Sequence, residues 1–120
     1  MLAELARFLL TRWWTAFLLT LAIEVPIFTW LTHKTVPFWR SAVGGVLCSC
    51  LTHPLLWFVW REVVTDRFWY IASGELIVSA LESVVFFAIA RPIRFWQAVS
   101  ISFLANAASY GFGLLISTLV

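Results

Sequence analysis

Long apolar runs interrupted by isolated polar residues recur along this chain, roughly at Phe8–Leu31, Phe38–Trp60, Phe68–Ala90 and Ile93–Val120. Each run reaches the roughly 20 residues that a helix needs to cross about 30 Å of hydrocarbon. Within each run the small and polar side chains keep a helical spacing. Ala16, Thr20 and Glu24 recur at intervals of about four in the first run, while Ser41, Gly45, Ser49, Thr52 and His53 share a face of the second. Glu75, Ser79 and Glu82 mark the third run, and Ser102, Asn106, Ser109, Tyr110, Gly113 and Ser117 the fourth. A single stripe on each otherwise lipid-compatible helix predicts an all-α fold, a polytopic membrane protein built as an antiparallel four-helix bundle. Its interior should be narrow and polar, because small residues let membrane helices approach and polar ones hydrogen-bond across the contact. What remains is a head, Met1–Arg7, and connections around His33–Pro37, Arg61–Arg67 and Arg91–Arg94, too short for a soluble domain. Residues 1–120 therefore read as one transmembrane domain. The first run follows Arg7 and Arg12 as a signal peptide would, but it is too long, contains Glu24 and lacks a small-residue cleavage pattern. It reads as a permanent helix.

Composition agrees with the pattern: 62% of the residues are hydrophobic and 12% charged, against about a quarter charged in soluble domains. The lipid bilayer is thus the first partner. The eight tryptophans fall near the ends of the runs, with Trp13, Trp14, Trp57, Trp60 and Trp69 toward one surface and Trp30, Trp39 and Trp96 toward the other. Such belts are expected to anchor helices at the interface. The formal charge of +2 is spread singly over the helix ends, which suggests no nucleic-acid partner. Arg7, Arg12, Arg61 and Arg67 on the side of the termini balance Lys34, Arg40, Arg91 and Arg94 on the opposite side. An even balance of Lys and Arg predicts insertion in both orientations, with the acids Glu4, Glu62 and Asp66 leaning the loops at Lys34 and Arg91 toward the cytoplasm. Cysteine labelling of both loops that found only one orientation would overturn this expectation. Cys48 and Cys50 point to different sides of their helix and read as small packing residues.

The chemistry lies in the ionisable residues inside the runs. A charged side chain in hydrocarbon costs on the order of 2.5–3.5 kcal/mol, so such groups turn inward and mark ion and proton pathways. Counting about 1.5 Å per residue from the flanking charges places Glu24 and Glu82 at a common depth of roughly 13 Å from the loop side. The same count places His53 and Glu75 roughly 12 Å from the terminal side, with Asn106 near their level. Two layers are expected: Glu24 with Glu82, which would share a proton or bind a cation, and His53 with Glu75 and Asn106. Thr20, Ser79, Ser109 and Tyr110 would support them. Pro26 and Pro54 beside these layers are expected to kink their helices and free the carbonyls of Ala22 and Cys50. One histidine within the spans and no Glu-x-x-His motif leave no metal or cofactor expected, and no serine or cysteine pairs with His53 for hydrolysis. No catalytic residue is assigned, and the chain is not expected to be an enzyme.

The pieces Glu24-Val25-Pro26, Thr52-His53-Pro54, Gly74-Glu75 followed by Glu82, and Ala105-Asn106 resemble those of small four-span bacterial membrane proteins to which no activity attaches. The resemblance implies that the four pieces belong together and that the membrane is the bacterial inner one. The architecture also looks like the small multidrug resistance transporters, with four spans in a chain of similar length and a glutamate in the first span. Glu24 lies later in its span than that family's glutamate, and His53, Glu75 and Glu82 have no counterpart there. The expected function is a small transporter or channel that uses the buried Glu and His residues for proton- or cation-coupled movement of a solute. The alternative is an accessory or assembly subunit, with small-residue faces at Gly44 with Gly45 and Gly111 with Gly113 available for docking. In either case a homo-oligomer or a larger membrane complex is expected.

Overall fold

The computed structural model describes residues 1–119, and of these not the side chains of 5, 6, 8–11, 61 and 116–119. The roles given above to Arg61 and Ser117, and the end of the last run at Val120, lie outside the described residues. Four long helices form the chain: α1 (Leu2–Leu31), α2 (Phe38–Pro54), α3 (Arg67–Ile89) and α4 (Phe95–Leu119). They are all-α because a backbone in hydrocarbon must satisfy its polar groups within its own segment. All four spans are long and apolar enough to cross a membrane, and the chain is a multi-pass integral membrane protein. Only 22–33% of each span is buried in the bundle, so most of the helical surface is left for lipid.

The helices stand in a ring in the order α1, α2, α3, α4, with α4 closing against α1. Several boundaries differ from the sequence reading. α1 starts at Leu2 rather than after the head, and it runs through Pro26 without a break. Pro54 has a larger effect. After it the helix widens into a π-helical segment, Leu55–Trp60, before one last α-helical turn, Arg61–Val63. The π register and the missing proline N–H change the backbone pairing here, and the Leu56 carbonyl accepts the Tyr70 hydroxyl of α3 at 3.0 Å. Gly74 lets this segment lean on α3, since a Cβ there would lie 2.6 Å from Leu56 Cδ1. Asp66 caps α3 by accepting the Trp69 N–H at 3.1 Å.

The loop end of the ring is closed. Phe28 and Phe86 are fully buried with ring centroids 4.4 Å apart, and the two rings are seated by glycines of α2. A Cβ at Gly44 would approach Phe86 to 3.0 Å and one at Gly45 would approach Phe28 to 3.1 Å. Gly44 and Gly45 are therefore spent inside the chain and do not form the expected docking face. Beyond the rings, the Thr32 and Ser41 hydroxyls meet at 2.6 Å, and Arg40 Nη1 donates to the Arg91 carbonyl at 2.8 Å. The outer belts are also only partly as expected. Trp14, Trp30, Trp39, Trp69 and Trp96 are exposed, but Trp13, Trp57 and Trp60 are half-buried. Trp60 donates to Ser73 at 3.1 Å, and the other two turn toward His53.

Candidate functional site

Glu24 of α1 and Glu82 of α3 occupy diagonal helices, and each is about 1% exposed. Each carboxylate reaches both neighbouring helices. Glu24 accepts from Ser49 of α2 at 3.0 Å and from Ser109 of α4 at 3.2 Å. Glu82 accepts from Thr52 of α2 at 2.7 Å and from Asn106 of α4 at 2.7 Å. All four contacts of the ring are thus bridged through one of two carboxylates. The predicted layer of Glu24 with Glu82 is present, but the two are linked by intermediaries: Ser109 also contacts the Asn106 carbonyl at 3.1 Å. Asn106 belongs to this layer and not, as expected from depth, to that of His53 and Glu75.

The hydrogen bonds contain a choice. A hydroxyl has one hydrogen to give, and Thr52 faces both Glu82 and the Cys48 carbonyl, the latter at 2.8 Å. Ser109 likewise faces both Glu24 and the Asn106 carbonyl. With a charged carboxylate the hydroxyl donates to it. With a protonated carboxyl the hydroxyl turns back to its own helix and accepts instead. Either state is satisfied with the same heavy-atom positions, so the layer can hold or lose a proton without repacking.

His53 and Glu75 do not form the expected pair. No hydrogen bond joins them among the described residues, and the His53 ring sits among Phe17 at 5.4 Å, Trp13 at 5.9 Å and Trp57 at 5.9 Å. Its Nε2 and the Trp13 Nε1 are buried without a hydrogen-bond partner. Both ionisable groups nonetheless open on one cavity of about 280 Å³, lined also by Glu24, Glu82, Asn106 and Thr20. Ser109 and Tyr110 line it from α4, while Ser79 borders a separate space on the outside of the bundle. Pro26 is exposed and lines no part of the cavity. Among the described residues, no three His, Cys, Asp or Glu side chains converge as a metal site.

Ser49, Thr52 and Trp57 were missing from the sequence-based site. The first two lay in its stripe, three residues apart and on the face of His53, but nothing in a stripe tells which hydroxyl meets a carboxylate. Comparison with family models, curated proteins and solved structures finds no match. The likeness to small multidrug resistance transporters therefore remains one of architecture.

The cavity lies on the terminal side of the Phe28 and Phe86 rings, which predicts one-sided access. In a Cys48→Ser, Cys50→Ser background, Thr20→Cys should react with a membrane-impermeant thiol reagent added on the side of the termini and stay protected from the other. Equal reaction from both sides would show that the aromatic pair is no barrier.

Proposed function

We propose that this chain is a small membrane transporter or channel in which Glu24 and Glu82 take up a proton or a cation and release it during solute movement. The observation that carries the reading is the cavity that brings Glu24, Glu82, His53, Glu75 and Asn106 to a single polar space inside the membrane span. Ionisable groups at such depth mark ion and proton paths. A space reached from one surface and blocked toward the other is one half of an alternating-access cycle, and the aromatic pair at Phe28 and Phe86 is the block. Proton release is supported by the two-way hydroxyls of Thr52 and Ser109. The accessory-subunit reading loses one of its two docking faces, because Gly44 and Gly45 seat the aromatic rings. The test is flux in proteoliposomes, read as pH-driven proton or cation movement with the wild-type chain and with Glu24→Gln and Glu82→Gln. A wild-type chain that moves neither would end the proposal.

A further inference from the structure

Glu75 and Tyr110 line three adjoining spaces: the inner cavity, a second of about 570 Å³ beside the connection before α3, and a third of about 380 Å³ between α3 and α4. The second space contains both signs of charge. Arg67 borders it at the start of α3 and Glu75 borders it deeper, roughly two helical turns or about 12 Å along the axis. Much of that separation is taken up by the long arginine side chain, leaving a gap of a few bonds between the two charged groups. The hydroxyl-bearing Thr65, Tyr70 and Tyr110 share the lining. The third space is different in kind. Ile71, Ala72, Leu76, Phe103 and Ala107 wall it, and Leu76 and Phe103 are exposed on the outer face of the bundle, where acyl chains run.

We propose that this junction binds an aminophospholipid, with its phosphate on Arg67, its primary ammonium on Glu75 and one acyl chain in the side opening between α3 and α4. A ligand with one charge would leave the other protein charge unmatched in a medium where unpaired charges are costly. A phosphate and an ammonium joined by two carbons match both. The primary ammonium carries hydrogens to donate to Glu75 and to the Tyr110 hydroxyl, which a trimethylated headgroup lacks. The acyl chain explains why a polar space should continue into an apolar one at the lipid-facing surface. This binding needs no flux and stands apart from the transport reading.

The full-length chain, purified in detergent, is titrated by native mass spectrometry with phosphatidylethanolamine, phosphatidylcholine and phosphatidylglycerol carrying the same acyl chains. Phosphatidylethanolamine should bind at least about tenfold more tightly than either other lipid, in line with a lost charge-assisted hydrogen bond. Glu75→Gln should reduce its affinity to that of phosphatidylglycerol, and Arg67→Gln should weaken both lipids alike. Chainless glycerophosphoethanolamine should compete only at concentrations at least about a hundredfold higher, by loss of the apolar contact. Equal binding of the three lipids to the wild-type chain overturns the proposal and needs no variant to be seen. So does an ethanolamine preference that survives Glu75→Gln, and so does a chainless headgroup that binds as well as the lipid.

Discussion

Glutamine in place of Glu24 or Glu82 should leave the bundle folded and lower proton- or cation-coupled flux at least about a hundredfold, equivalent to roughly 2.7 kcal/mol. Folding should survive because the amide satisfies the same partners. At position 82 the amide oxygen accepts from Asn106, which can only donate there, and its NH₂ donates to Thr52, whose own hydrogen turns to the Cys48 carbonyl. At position 24 both partners are serine hydroxyls, which can donate or accept. The expected stability change is under about 1 kcal/mol, the scale of one exchanged hydrogen bond. Function has no such substitute, because an amide neither ionises nor takes up a proton. Circular dichroism and size exclusion would follow the fold, and a pH-sensitive dye in proteoliposomes the flux. Loss of folding in both variants would instead make the carboxylates the fastening of the ring, a use of polar groups common between membrane helices. Unchanged flux in both would remove them from any pathway.

Phe86→Ala should destabilise the bundle by about 3 kcal/mol, the cost of deleting a fully buried aromatic ring from a packed core. The ring meets Phe28 at 4.4 Å and covers Gly44, where no side chain can fill the gap left behind. The second consequence is functional. With the ring gone the loop end loses half of its block, so Thr20→Cys in this background should become reactive from both surfaces. Thermal unfolding in detergent checks the first effect and the thiol labelling the second. Protection of Thr20→Cys from the loop side in Phe86→Ala would place the barrier elsewhere, among Thr32, Ser41 and the buried Val36 and Ile93.

The helices were legible because hydrocarbon leaves the backbone few options, and twenty apolar residues with one polar stripe declare both a span and its inner face. The depth count brought Glu24 and Glu82 to one level for the same reason: a helix rises by a constant amount per residue. It failed for Asn106, whose side chain reaches Glu82 in the other layer at 2.7 Å, because depth along an axis ignores the direction and length of a side chain. It failed for His53 because the competition came from another helix. Trp13 and Phe17 of α1 and Trp57 of the π-helical segment pack around the imidazole, and a rule that places tryptophan at interfaces hid two of those three. Pro26 and Pro54 looked alike in sequence. Only the second coincides with a change of helical register, where Gly74 and Tyr70 of α3 accommodate and bond the widened turn.

By itself the sequence determined that four apolar helices would form, that each would keep one small and polar stripe, and that Glu24, His53, Glu75, Glu82 and Asn106 would face inward. These follow from the cost of leaving a polar group in lipid, which any single helix carries with it. The tertiary structure alone decided that α1 and α3 lie diagonally, so that two carboxylates tie together all four helices through Ser49, Ser109, Thr52 and Asn106. It also decided that Gly44 and Gly45 hold an aromatic block rather than a partner, and that Glu75 stands where three spaces meet. Those outcomes depend on which helices become neighbours and how far each is turned, and side-chain packing between helices sets both.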